Sequence, residues 1–302
     1  MINKKNHIIL CICKNNYKNF LCFKNVLGLG LGMKYTNSKN TNHLCIQVLV
    51  QKKESLCKLK YNDIIPKSYM NIATDIVEIG NAEAYALSSK IRPVQCGYSI
   101  SPVNRFYSGT CGCIVERGSQ QNMEYFLLSN NHVLADSNRI ALGTQIVQPS
   151  RMDGGRITDV IANLTNFIPI NYGFQGNLVD CAIARIRDNS IISNKIAWAG
   201  YPTGINNAII GEQVEKIGRT TGRTSGLVRT IGTTLIITVG GRPALFQNQI
   251  TLERMSQPGD SGSVVLNKNN EAVGLLMGGS PSISIANDFR TVLNSLRVNL
   301  TY

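Results

Sequence analysis

The 302-residue chain has no C-x-x-C pair, one tryptophan, three histidines, no arginine in its first seventy residues and no long apolar run near its start. Each shortage excludes something. Nine cysteines is an odd number, and five of them (Cys11, Cys13, Cys22, Cys45, Cys57) crowd into the first fifth. Without paired spacing they do not describe a secreted disulfide framework or a structural zinc site. His7 with Cys11, Cys13 and Cys22 is the one grouping that could hold a soft metal. Free, partly buried thiols are the simpler reading, so no metal and no cofactor is assigned. The early apolar run Ile8–Cys13 stops at Lys14. It is shorter than a signal-peptide core and far short of the roughly 20 residues that span a bilayer. These absences predict a cytoplasmic, reducing location without membrane contact.

With 43% apolar and 16% charged residues the chain has a folded, soluble composition. At this length it can bury roughly 75% of its unfolded surface without cross-links. Its net charge of +13 is unevenly spread: residues 1–70 hold twelve lysines against Glu54 and Asp63, a balance of +10, which leaves +3 for the rest. That shift predicts two modules, a small basic domain over 1–80 and a larger one over 95–302, with a connector at 81–94.

In the first module, Asn25–Met33 alternates large residues with Gly28, Gly30 and Gly32, and Leu44–Val50 is a β-rich run. The polar stretch Thr36–His43 between them predicts a hairpin, and Thr74–Ile79 a third strand. The G-x-G-x-G spelling lacks the third glycine and following helix of a nucleotide-binding loop, so a twisted glycine-rich strand is expected. From Gln95 onward, short β-branched runs alternate with Gly, Asn, Pro and Ser, as an antiparallel sandwich or barrel requires. One helix stands out, Asp288–Leu296, with Asn287 as its cap and Phe289, Val292 and Leu296 on one face.

Three short segments supply a histidine, an aspartate and a serine: Leu128–Ala135, Asn177–Ile183 and Gln257–Ser263. A hydroxyl nucleophile needs an imidazole to take its proton, and the imidazole needs a carboxylate to fix its tautomer. His132, Asp180 and Ser261 fit those roles, since the other histidines, His7 and His43, belong to the first module. Each segment has a plainer reading, as a structural histidine, a strand-entry aspartate and a turn. The glycines of Pro258–Gly262 nevertheless allow backbone N–H groups to face one point, as an oxyanion site requires.

Taken together, these segments resemble the trypsin-like, chymotrypsin-fold serine peptidases of the bacterial branch over Gln95 to the C-terminus. Asp180 follows His132 by 48 residues and Ser261 follows Asp180 by 81. Gly218–Val228 is similar to the opening of the second barrel in streptogrisin-like and α-lytic-like enzymes. Asn25–Lys34, Thr74–Gly80, Ser129–Ala135 and Gln148–Gly155 resemble Gram-positive trypsin-like peptidases with a small N-terminal domain. The resemblance implies a mainly β fold: a double antiparallel β-barrel (about 95–195 and 210–302) with a C-terminal helix, preceded by a small β-rich domain. It places His132 before an apolar strand end. It also implies a serine endopeptidase acting on polypeptides through an acyl-enzyme, with Gly259 and Ser261 N–H groups as the oxyanion hole. Val133 stands where the family often has a cysteine, Ser263 where it has glycine, and Met277 where a serine often supports the aspartate. No apolar new N-terminus is evident to pair with Asp260.

The same resemblance puts the substrate pocket between Met255 and the segment Met277, Gly278 and Gly279. Without a carboxylate at its base, trypsin's preference for Lys or Arg is not expected. A medium apolar residue, or an acidic one facing Arg254, are the open readings. Two rival functions remain: a basic adaptor that binds nucleic acid or another acidic surface through residues 1–70, and a self-processing peptidase regulated by its N-terminal domain.

Overall fold

The computed structural model describes residues 4–36, 39–80, 87–119 and 121–301. The chain divides into two compact units, Met1–Ala84 and Tyr85–Tyr302. The connector expected at 81–94 is only partly described. From Leu87 on, the chain belongs to the second unit: Leu87 is buried in its core, Lys90 pairs with Asp159, and Arg92 donates to Gln148.

The first unit opens with a helix, Lys4–Asn15, that sequence reasoning did not anticipate. It is rich in isoleucine and has no acidic first turn, so its local signals are weak. Packing stabilises it instead: Ile9 and Ile12, three apart on one face, are buried with Phe20, Ile46, Val48 and Val50. The strands Val26–Thr36 and Lys39–Val50 form the expected hairpin, and Ile72–Glu78 pairs in parallel with the second of them. In the glycine-rich strand, Leu29 and Leu31 pack toward the core while the glycines face away. A Cβ on Gly32 would lie 2.3 Å from Gln47 Cδ, so that glycine makes room for a side chain that donates to Met33 O. The G-x-G-x-G segment is therefore a strand.

The second unit is built on two curled sheets. The first runs Asn299–Leu300, Cys113–Ser119, Asn122–Ser129, Ala182–Ile186, Val160–Phe167, Gln145–Val147, Ser99–Pro102, Gly109–Thr110. The second includes the hairpin Gly222–Val239 and Arg242–Glu253, followed by Gln213–Gly218, Val264–Asn267 and Glu271–Gly279. Ile283–Asp288 pairs with both Arg242–Glu253 and Glu271–Gly279, which closes this sheet into a barrel. The boundaries interleave more than expected. Gly173–Asn177 joins the second sheet, while Asn299–Leu300 returns to the first.

The C-terminal helix is Phe289–Leu296, with Phe289, Val292, Leu293 and Leu296 buried. Its cap is Asp288, whose carboxylate accepts from Thr291 N–H at 2.8 Å, and not Asn287. Asn287 is needed elsewhere. All nine cysteines are free thiols, and no described helix is long and apolar enough to cross a membrane.

Candidate active site

His132 sits in a one-turn helix, Asn131–Leu134, directly after the strand Asn122–Ser129, so it does not precede a strand end. Asp180 lies just before the strand Ala182–Ile186 and is fully buried. Both its oxygens are spent on His132: Oδ1 accepts the backbone N–H at 3.1 Å and Oδ2 accepts Nδ1–H at 2.5 Å. This fixes the ring's orientation and leaves Nε2 as the nitrogen able to accept a proton. Burial, the strongest influence, favours the neutral ring. The charge of Asp180 and its hydrogen bond together outweigh it, so the His132 pKa is raised above the ordinary value.

Asn287 and Asn130 hold the aspartate. Asp180 N–H donates to Asn287 Oδ1 at 2.9 Å, and Asn130 Nδ2 donates to Asp180 O at 2.7 Å. Asn287 Nδ2 also donates to Leu275 O at 3.1 Å, tying the aspartate of the first sheet to the second. The support that Met277 cannot give Asp180 comes from a backbone clamp.

Ser261 lies in the turn Gln257–Ser263, organised around Asp260. That carboxylate accepts from Gln257 N–H (2.9 Å), Thr220 N–H (2.8 Å), Thr221 N–H (3.0 Å) and Thr221 Oγ–H (2.6 Å). Its cation is Lys216, 3.3 Å away and equally inaccessible. Burial lowers the Lys216 pKa, and Asp260 opposes without fully offsetting it. Lys216 thus occupies the place for which no free N-terminus was evident. A signal for it existed in the sequence: Val214 and Lys216 are two apart in the strand Gln213–Gly218, so they share the inward face.

The turn is pinned from outside by Thr110. Its N–H donates to Ser261 O at 2.8 Å and its hydroxyl to Gly259 O at 2.8 Å. With those carbonyls held, the N–H groups of Gly259 and Ser261 make no hydrogen bond among the described residues. Gly259 has φ +100° and Gly262 φ +95°; a Cβ on the latter would lie 2.1 Å from Ser129 Oγ. No other residue fits that path. Arg219 completes the clip: its N–H donates to Thr110 Oγ1 at 3.0 Å and its guanidinium is bidentate to Asp153.

His132 and Ser261 face a common cleft of about 480 Å³. The Ser261 hydroxyl donates to Met277 O at 3.2 Å and, in this state, does not engage the imidazole. Of the expected pocket residues, Met277, Gly278 and Gly279 line the cleft. Met255 does not: it packs into the second-barrel core with Val228, Leu252 and Leu276, while its neighbours Arg254 and Ser256 turn toward the cleft. In the soft-metal grouping near the N-terminus His7 and Cys11 are in contact at 3.7 Å, and among the described residues no three His, Cys, Asp or Glu side chains cluster as a metal site would need.

A family model described as Trypsin matches residues 103–294. No curated protein matches the chain. Among solved structures, the chain is similar to Thermobifida fusca Protease A, with 18% identity over 69% of this chain and 99% of that one and a TM-score of 0.51. It is similar to the Nocardiopsis protease NAPase, with 19% identity over 69% and 100% and a TM-score of 0.52. A third is described as a glutamic acid specific serine protease that utilizes a histidine triad in substrate binding, with 20% identity over 69% and 100% and a TM-score of 0.51. At these identities the likeness is one of fold.

Proposed function

Since this chain belongs to the trypsin family and is a serine endopeptidase, we propose that it cleaves peptide bonds through Ser261, His132 and Asp180 by way of an acyl-enzyme. The observation that carries the proposal is the pairing of both Asp180 oxygens with His132 on the wall of the cleft that holds Ser261. Met277 O holds the serine hydroxyl until a rotation about χ1 brings it to His132 Nε2. Such hydrogen bonds are often loose before substrate binds.

Ser261 Oγ then attacks the substrate carbonyl while His132 Nε2 takes its proton. Asp180 stabilises the resulting imidazolium, and the carbonyl oxygen gains negative charge. The N–H groups of Gly259 and Ser261, already released from internal partners, receive that oxyanion without reorganisation. His132 next protonates the leaving amine, which departs and leaves an ester on Ser261. Water, deprotonated by the same imidazole, cleaves the ester and restores the hydroxyl.

Labelling with a neutral fluorophosphonate tests this directly. Wild-type protein is expected to be modified at Ser261, and Ser261→Ala and His132→Ala to be unlabelled, with peptide turnover lower by about 10⁶. Full cleavage by Ser261→Ala would overturn the assignment.

A further inference from the structure

We infer that this endopeptidase selects a carboxylate side chain, aspartate or glutamate, at the residue whose carbonyl Ser261 attacks, with Arg254 as its counter-ion and Ser256 as a second donor. The inference rests on the proposed role of Ser261 and concerns what the same cleft prefers to bind.

Charge along the cleft is the first observation. Apart from His132, Arg254 is the one ionisable side chain among the described residues that line it. A substrate lysine or arginine would therefore meet a like charge and no counter-ion.

The second observation is that Arg254 is free while its neighbours in the same barrel are occupied. Arg219 is paired with Asp153, Arg223 with Glu215 and Arg229 with Glu253, and Arg242 stacks 3.8 Å over the Tyr172 ring. Arg254 has no ion pair and no hydrogen bond among the described residues. Glu253, the adjacent carboxylate, is already committed to Arg229 at 2.6 Å and to Leu227 N–H at 3.2 Å. An unpaired guanidinium on the wall of a catalytic cleft offers a planar fork of donors that matches a carboxylate.

The third observation is the hydroxyl beside it. Fully buried Ser284 accepts Met255 N–H at 3.0 Å and lies 2.7 Å from Ser256 Oγ. Either hydroxyl can donate in that pair; because the buried Ser284 proton has no other acceptor among the described residues, donation from Ser284 to Ser256 satisfies it and leaves the Ser256 proton for an acceptor in the cleft. Arg254 and Ser256 thus present donors to the cleft from either side of Met255, which faces the core. Leu276, Met277 and Pro258 line the same cleft and suit the methylenes of an acidic side chain.

The test compares peptides that differ only at the attacked residue, carrying Glu, Asp, Gln, Leu or Lys. For wild-type protein at pH 7, kcat/KM for Glu over its isostere Gln is expected to be about 10–100, the range of one charge-assisted hydrogen-bond set. In Arg254→Ala that ratio should fall to near one. Arg254→Lys should keep part of it, retaining charge without the fork. Melting temperature checks that the variants are folded. Equal handling of Glu, Gln and Leu by wild-type protein, or a ratio unchanged in Arg254→Ala, overturns the inference. A preference for Leu would instead show that the apolar wall decides. Fluorophosphonate labelling separates the two levels: a chain that labels at Ser261 and cleaves without acidic preference refutes only this inference, whereas one that neither labels nor cleaves refutes the catalytic proposal as well.

Discussion

The carboxylate of Asp180 is fully buried and has one ion-pair partner among the described residues, the His132 ring, so the effect of its charge is concentrated there. Removing that charge while keeping the shape isolates the effect. Asp180→Asn is expected to lower kcat by about 10⁴, because an amide no longer dictates which ring nitrogen carries the proton. The same variant should move the acidic limb of the pH–kcat/KM profile to lower pH. Asp180 raises the imidazole pKa against burial, so without it burial acts alone. The sign for stability follows from linkage. A raised His132 pKa makes the native state bind its proton more tightly than the unfolded chain. The associated stability is therefore fully present below the unfolded value of about 6.5 and lost as pH rises through the folded one. Catalysis needs the neutral ring and runs oppositely, increasing over that window. A limb that stays in place in Asp180→Asn would show that some other group sets the profile.

At the scale of elements, the turn Gln257–Ser263, which carries the proposed nucleophile, depends on two strands distant in sequence, through Lys216 and Thr110. Replacing Lys216 with Met keeps the volume but leaves Asp260 buried without its cation. Breaking one side of a buried pair typically costs about 3–5 kcal/mol, so chemical denaturation should register a loss of that order. A change under 1 kcal/mol would mean that Thr220, Thr221 and Gln257 satisfy the carboxylate unaided. These supports show where the sequence was readable. As candidates, His132, Asp180 and Ser261 were legible from the order and spacing of three segments that resemble the family only in combination, since each alone reads as an ordinary structural residue. An antiparallel sandwich or barrel was legible from the spacing of short runs, the two-barrel plan only from the family resemblance, and the C-terminal helix from its 3.6-residue pattern. Asn287 read as a helix cap because the pattern supplies a helix start one residue away. Only folding reveals that Asp288 takes the cap while Asn287 reaches Asp180 across the sheets. Thr110 carried no signal at all, since its role depends on meeting residues about 150 positions later. The helix Lys4–Asn15 was hidden because tertiary burial of Ile9 and Ile12, and not intrinsic propensity, holds it.

For the molecule as a whole, charge and chemistry are carried by different units. Residues 1–70 hold twelve lysines and two acids, and most of those lysines, from Lys14 to Lys67, are exposed. The described ones show few ordered partners beyond Lys34, whose Nζ donates to Thr74 O at 2.8 Å. Solvated lysines of this kind attract a polyanion through counterion release, with an affinity that falls steeply as salt displaces the released ions. The proposed catalytic pair responds differently: Asp180 is wholly inaccessible and touches His132 directly, so mobile ions at a Debye length of about 8–10 Å screen it little. One salt series can separate the two behaviours. Between 50 and 200 mM salt, retention on a heparin or single-stranded DNA matrix should fall by at least about tenfold. The rate at which a neutral fluorophosphonate modifies Ser261 should change less than about twofold over the same range. Retention that persists at high salt would point to specific recognition by the N-terminal unit. A labelling rate that tracks retention would mean that occupancy of that unit reaches the nucleophile, which is the regulatory reading of the N-terminal domain.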